Sequence, residues 1–155
     1  LYIKLMIVIA HRGNINGPDK EKENNPDYLL EAIDKGYYVE ADLWILLSEN
    51  KEKLYLGHDE PQYEIEIEFL LNIKNKLFCH CKNIRALEFI VTKYPEIECF
   101  FHDIEEFVLT SKNKIWTNVG KELTKNSICV MPERINQTAI NCLGVCTDYP
   151  NKYLS

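Results

Sequence analysis

Short apolar runs alternate with helix-like stretches along this chain. Runs rich in β-branched and aromatic residues predict strands over residues 3–10, 37–47, 53–57, 76–82, 97–101, 114–119, 127–131, 139–142 and 144–147. Apolar residues that recur on one helical face predict helices over residues 25–36, 61–72 and 83–94, with a helical turn at 104–109. The second and third strands are predicted to form a hairpin.

Strands that are separated by helices or loops indicate a largely parallel sheet with both faces covered. We therefore expect an α/β fold, in the form of a compact, trimmed TIM (β/α) barrel. Eight complete strand–helix units typically take about 250 residues, whereas this chain has 155. Several crossover helices must then be reduced to loops. No internal repeat or linker divides the sequence, so residues 1–155 are predicted to form a single domain.

Composition narrows the class of protein. The apolar fraction of 46% and the charged fraction of 27% are ordinary for a globular protein. A formal net charge of −6 makes the chain a poor partner for nucleic acid, whose backbone needs a basic surface. No run of 18 apolar residues exists, so no transmembrane segment is expected. Most of the six cysteines lie in apolar runs, which favours reduced thiols and a cytoplasmic location.

Charged residues gather at the ends of the predicted strands, the edge that carries the active site in parallel barrels. Glu40 and Asp42 project from one face of their strand because residues two apart share a face. Two carboxylates on one face suit a hard divalent cation such as Mg²⁺ or Ca²⁺. Taken alone, such a pair is more often a solvated strand end.

Histidines follow two different strands, at His11 and His58, and such a pair can serve as general acid and general base. A single histidine is more often a packed or solvated side chain, so the joint placement carries the argument. His80 and Lys82 repeat the two-residue spacing on a further strand. Cys79 and its neighbour Cys81 take the opposite face, which argues against a zinc site built from histidine and cysteine.

Several motifs stand in an order that resembles the glycerophosphodiester phosphodiesterase family, of the phosphatidylinositol-phospholipase-C-like type. The motifs are His11-Arg12-Gly13, Glu23-Asn24 before a helix, Glu40-Ala41-Asp42, Gly57-His58-Asp59 and the closing Thr147-Asp148-Tyr149-Pro150. The match is dense over residues 7–60, thin over 61–140, and returns at 144–150.

The resemblance implies a metal-dependent hydrolase of glycerophosphodiesters or similar small lipid-derived phosphodiesters. His11 and His58 would be the acid/base pair, and Arg12 would bind phosphate. Lys82, which the family retains, would be a second phosphate contact. Glu40 and Asp42 would hold the metal, Mg²⁺ or Ca²⁺ with Mn²⁺ as a further candidate, and Glu23 can reach it as well.

One departure from the family concerns the third barrel strand, where Glu-x-Lys is replaced by His80-Cys81-Lys82. His80 thereby becomes a candidate metal ligand, and an imidazole in place of a carboxylate favours a softer ion. The stretch between Glu60 and Lys76 also leaves little room for the insertion that shapes the family's glycerol pocket. Two alternatives follow: a non-catalytic relative that binds a phosphate ligand, and a lyase that gives a cyclic phosphate product.

Overall fold

A computed structural model describes residues 6–139 and 141–153. In that part of the chain all ten strands belong to one sheet. The strands are β1 Ile7–His11, β2 Tyr38–Ser48, β3 Lys51–Leu56, β4 Tyr63–Ile65, β5 Leu77–Cys81, β6 Cys99–Phe100, β7 Phe107–Leu109, β8 Ile115–Thr117, β9 Ser127–Val130 and β10 Gly144–Thr147. The α-helices are α1 Pro26–Asp34, α2 Ile67–Ile73 and α3 Ile84–Lys93.

The sheet is mainly parallel. Its parallel strands lie in the order β6, β5, β2, β1, β10, β9, β8. β3 and β4 extend it as antiparallel strands beside β2, and β7 pairs antiparallel with β8. β2 and β3 form the predicted hairpin. Because the parallel strands run the same way, their carboxyl ends meet at one edge, where the candidate site lies.

The sheet curls but does not close among the described residues. The rings of Phe100 on β6 and Trp116 on β8 stack with centroids 4.4 Å apart, yet no strand pairing joins β6 to β8. The three described α-helices are also too few for an outer ring, since the described residues between β6 and β10 contain no α-helix. The mixed α/β class is confirmed, whereas the closed TIM barrel is not, because the described residues show neither a strand pairing that closes the sheet nor most of the crossover helices.

Helix boundaries follow the capping signals of the sequence. The Asn25 side chain accepts a hydrogen bond from the Asp27 amide, and Pro26 occupies the first turn, where no amide hydrogen is needed. The Asn83 side chain caps α3 by accepting from the Ala86 amide at 3.0 Å and also donates to the Ile45 carbonyl at 2.9 Å. This cap therefore ties the start of α3 to β2.

Two clusters of buried side chains cover the two faces of the sheet. The larger one includes Leu29 of α1, Ile90 of α3 and the buried thiols of Cys79 and Cys81. The smaller one lies on the face that carries the site and consists of Ile9, Phe78, Phe100, Trp116, Ile128 and Cys146. The alternation predicted for β5 is therefore confirmed, because its cysteines and Phe78 belong to different clusters.

Two local predictions need correction, and two lie partly outside the described residues. Residues 104–109, predicted as a helical turn, contain strand β7, whose residues pair with β8 and alternate in exposure. Residues 61–72 divide into β4 and α2 because Tyr63–Ile65 pairs with β3. The predicted strands at 3–10 and 139–142 lie partly outside the described residues.

The six cysteines are all free thiols, and five of them are buried. That the protein resides in a reducing compartment stays a prediction. Among the described residues, no helix is both long enough and apolar enough to cross a membrane.

Candidate active site

A cleft of about 390 Å³ opens at the carboxyl ends of the parallel strands. It brings together six of the residues predicted from the sequence: His11, Arg12, Glu40, His58, His80 and Lys82. Asp42 lies buried beside them, and Glu23 lines an adjoining cavity of about 340 Å³. Residues far apart in the chain thus share one edge of the sheet.

The register of β2 with its two parallel neighbours places three groups that could hold a metal close together. Glu40 pairs with His11 of β1, and Asp42 pairs with His80 of β5. Both carboxylates project to the same side of β2 and are only 2% and 1% exposed. Buried charges of this kind require a compensating charge.

Glu40, Asp42 and His80 each present one ligand atom, and these atoms lie within 4.8 Å of one another. His80 Nδ1 is 3.0 Å from Asp42 Oδ1 and 4.0 Å from Glu40 Oε1. Among the described residues, neither Glu40 Oε1 nor Asp42 Oδ1 has a hydrogen-bond partner. Two orphaned buried oxygens and a facing nitrogen fit a divalent cation.

The protonation of His80 supports this reading. Its Nε2 lies 2.9 Å from the carbonyl oxygen of His102, which can only accept, so Nε2 carries the hydrogen. In the neutral imidazole, Nδ1 then turns a lone pair toward Asp42. A positive charge between His80 Nδ1 and Asp42 Oδ1 would stabilise this arrangement, and either a proton on Nδ1 or a metal cation can supply it.

The two carboxyl groups differ in their titration. Burial raises the pKa of Glu40 well above its ordinary value, and the charge of Asp42 raises it further. Burial also acts to raise the pKa of Asp42. There, however, the neighbouring His80 and the charge of Arg12 outweigh burial and lower the pKa. Asp42 is therefore the carboxyl group that stays ionised.

Arg12 holds the acidic residues in place. It adopts a left-handed conformation (φ 54°), which directs its amide to the Glu40 carbonyl at 3.0 Å. Its guanidinium donates to Glu23 Oε2 at 3.0 Å, and its Nε is 3.5 Å from Asp42 Oδ2. Burial acts to lower the pKa of Arg12, but the charges of Glu40 and Asp42 more than offset it and raise this pKa.

Glu23 does not join the converging ligand atoms. Its Oε2 accepts from Arg12, and its Oε1 accepts from Asn14 Nδ2 at 3.0 Å. Both oxygens are thus engaged by the protein. Glu23 is linked to Asp42 through Arg12, which contacts both. That Glu23 itself binds the metal stays a prediction.

His11 and His58 each have a carboxylate beside Nδ1, but the His11–Asp148 pair is largely buried, whereas the side chains of His58 and Asp59 are 38% and 93% exposed. His11 Nδ1 is 2.7 Å from Asp148 Oδ1, and His58 Nδ1 is 2.7 Å from Asp59 Oδ1. A carboxylate only accepts, so each Nδ1 carries the hydrogen and each Nε2 is left as the basic nitrogen. Burial lowers the pKa of His58, and the charge of Arg12 lowers it further.

Sequence patterns assigned no role to two asparagines that organise the site. Asn24 Nδ2 donates to Asp42 Oδ2 at 2.8 Å, while its Oδ1 accepts from the Asp42 amide at 2.9 Å. Asn14 Nδ2 donates to Asp148 Oδ1 at 2.9 Å as well as to Glu23. In the sequence, Asn24 stood out only as part of the Glu23-Asn24 motif, with no role of its own, and Asn14 only as one residue of a polar loop.

Comparison of the chain with models of known families, with characterised proteins and with solved structures finds no match in any of the three.

Proposed function

We propose that this protein is a metal-dependent phosphodiesterase that acts on glycerophosphodiesters or similar small, lipid-derived phosphodiesters. The proposal treats the sheet as a reduced, unclosed version of the barrel of the glycerophosphodiester phosphodiesterase family, which the motifs resemble. The observation that carries it is the meeting, in one cleft, of two carboxylate-oriented histidines with a buried Glu40–Asp42–His80 cluster.

The two histidines supply the proton transfers. In the neutral state each has an unprotonated Nε2, because Asp148 and Asp59 hold the opposite ring nitrogens. One histidine removes a proton from the attacking water, and the other, in its protonated form, delivers one to the leaving alkoxide oxygen. The lowered pKa of His58 makes it the better candidate for the group that starts unprotonated.

Two positively charged side chains, those of Lys82 and Arg12, would interact with the negatively charged phosphate. Lys82 lines the cleft directly after β5, and Arg12 lines it after β1. Both would offset negative charge on the non-bridging oxygens as it grows in the transition state.

Glu40, Asp42 and His80 would hold the metal. A divalent cation there would polarise the phosphoryl oxygen and keep both carboxyl groups ionised. The two oxygens and one nitrogen admit Mg²⁺ and Ca²⁺, but the nitrogen favours Mn²⁺ or another transition metal.

A second candidate function is a non-catalytic protein that binds a phosphate ligand. His80 in place of a carboxylate favours it, because fewer anionic ligands hold a catalytic Mg²⁺ or Ca²⁺ less tightly.

The test is cleavage of glycerophosphocholine, glycerophosphoethanolamine and bis-p-nitrophenyl phosphate with Mg²⁺, Ca²⁺, Mn²⁺ or chelator. His11→Ala and His58→Ala should each lower turnover by roughly 10²–10⁴-fold if the histidines transfer protons. His102→Asn, which changes a cleft residue but keeps its carbonyl, is the matched control. Product analysis distinguishes hydrolysis from release of a cyclic phosphate by a lyase. Absence of cleavage with every metal would favour the binding function.

A further inference from the structure

Arg134 is a second arginine of the cleft, and sequence patterns did not point to it. It ends a short 3-10 turn, Pro132–Arg134, that follows β9. It lines both the main cleft and the adjoining cavity, whose walls also share Arg12 and His58. Arg134 therefore lies where the two cavities meet, and His58, one of the proposed catalytic histidines, lines the same two cavities.

The two arginines differ in their charge partners. The Arg12 guanidinium pairs with Glu23 at 3.0 Å and lies 3.5 Å from Asp42, and its side chain is only 17% exposed. Arg134 is exposed, and among the described residues no carboxylate forms an ion pair with it. The positive charge of Arg12 is thus shared between acidic residues of the protein and the cleft, while that of Arg134 is available to a ligand alone.

Hydrogen bonds join the turn that carries Arg134 to the carboxyl end of β10. The Glu133 carboxylate accepts one hydrogen bond from Thr147 Oγ1 and one from the Asp148 amide, both at 3.0 Å. The Arg134 amide donates to the carbonyl of Met131, which is held in a left-handed conformation (φ 48°). A non-glycine residue keeps that conformation only where its surroundings impose it. The main chain of Arg134 is therefore held in a defined position relative to Asp148, the partner of His11.

We infer that Arg134 binds a non-bridging oxygen of the substrate phosphate and so determines the preference of the cleft for a phosphate-bearing ligand, an inference that rests on the proposed function. Lys82 contacts the same group from the opposite side, because β5 and β9 flank the central strands β2, β1 and β10. The planar fork of a guanidinium can contact two phosphate oxygens through parallel hydrogen bonds, a geometry that a lysine ammonium does not offer. The chain as a whole carries a net charge of −6, so attraction of an anion must come from such local cations.

The test compares Arg134→Gln and Arg134→Lys with Arg85→Gln in the full chain. Arg85 is the matched control, because it is an exposed arginine on α3 outside the cleft. Calorimetric titration with inorganic phosphate, with and without Mn²⁺, measures binding. Hydrolysis of bis-p-nitrophenyl phosphate measures KM and kcat separately.

Arg134→Gln should weaken phosphate binding by about 10- to 100-fold, the range expected for loss of a hydrogen bond to a charged group. Arg134→Lys should recover part of that loss, and Arg85→Gln should bind as the wild-type protein does. In the hydrolysis assay Arg134→Gln should raise KM. Unchanged binding by Arg134→Gln, an equal loss in Arg85→Gln, or no phosphate binding by the wild-type protein would each overturn the inference.

The two proposals fail in different ways. Phosphate binding that depends on Arg134, without cleavage of any diester, would support the inference and refute the phosphodiesterase function. Cleavage with the same KM in the wild-type protein and in Arg134→Gln would support the phosphodiesterase function and overturn the inference.

Discussion

The Nε2 of His80 donates a hydrogen bond to the main-chain carbonyl of His102 at 2.9 Å. This contact determines which nitrogen of His80 faces the carboxylates, since Nδ1 is left to point at Asp42 from 3.0 Å. Stacking on Phe100, with ring centroids 5.0 Å apart, holds the imidazole in the same orientation. His80 is thus prepared as a nitrogen ligand beside two oxygen ligands.

We expect the protein to bind Mn²⁺ more tightly than Mg²⁺, because a nitrogen ligand favours transition metals. His80→Ala should weaken Mn²⁺ binding by at least the roughly 10- to 100-fold that loss of an outer-shell partner alone costs a metal site. His80→Glu should shift the preference toward Mg²⁺. Calorimetric titration with each metal checks this. Equal Mn²⁺ affinity in the wild-type protein and His80→Ala would show that His80 is not a ligand.

Asp148 orients His11, and its replacement should impair turnover while leaving metal binding intact. Asp148→Asn removes the anion that holds the hydrogen on His11 Nδ1, so kcat should fall by about 10²-fold or more. Asp19→Asn is a suitable control, because it changes a partly exposed acidic residue of the loop between β1 and α1. A kcat within a factor of about two of the wild-type value would argue against this role for Asp148.

The pKa of His58 predicts the acidic limb of the pH–rate profile. Burial and the nearby positive charges of Arg12 and Lys82 disfavour the imidazolium, so its pKa lies below the ordinary histidine value. If His58 acts as the base, kcat/KM should stay high as the pH falls through about 6.5 and decline only below that value. Lys82→Gln removes one positive charge, so the limb should move to higher pH. A shift to lower pH would contradict the assignment.

Asn24 should be important for stability as well as for the site. It lies in a left-handed conformation (φ 66°) and makes two buried hydrogen bonds to Asp42. Asn24→Ala leaves a buried amide and carboxylate oxygen without these partners, at a cost of about 2–4 kcal/mol in the free energy of unfolding. Asn24→Gly loses the same bonds without backbone strain and should cost about 1 kcal/mol less. Urea unfolding measures both. Equal stability of the two variants would show that the backbone carries no strain.

Local rules predicted much of the architecture from the sequence. The start of α1 at Pro26 follows from capping and proline chemistry. The hairpin of β2 and β3 and the opposite faces of His80 and Cys79 follow from turn signals and period-two alternation. These signals involve residues that are neighbours in sequence. Strand β7 was missed because its short apolar segment is equally consistent with a helical turn, and only pairing with β8 decides between them.

The sequence by itself determined which polar residues stand at strand ends and which face of β2 carries Glu40 and Asp42, because backbone periodicity sets both. Only the tertiary structure decided that the sheet stays open and that His11 meets Asp148, 137 residues away along the chain. It also decided the engagement of both Glu23 oxygens and the orientation of His80. The physical reason is that contacts between distant residues depend on strand register and on the packing of buried side chains, and the balance of buried charges exists only once those contacts form.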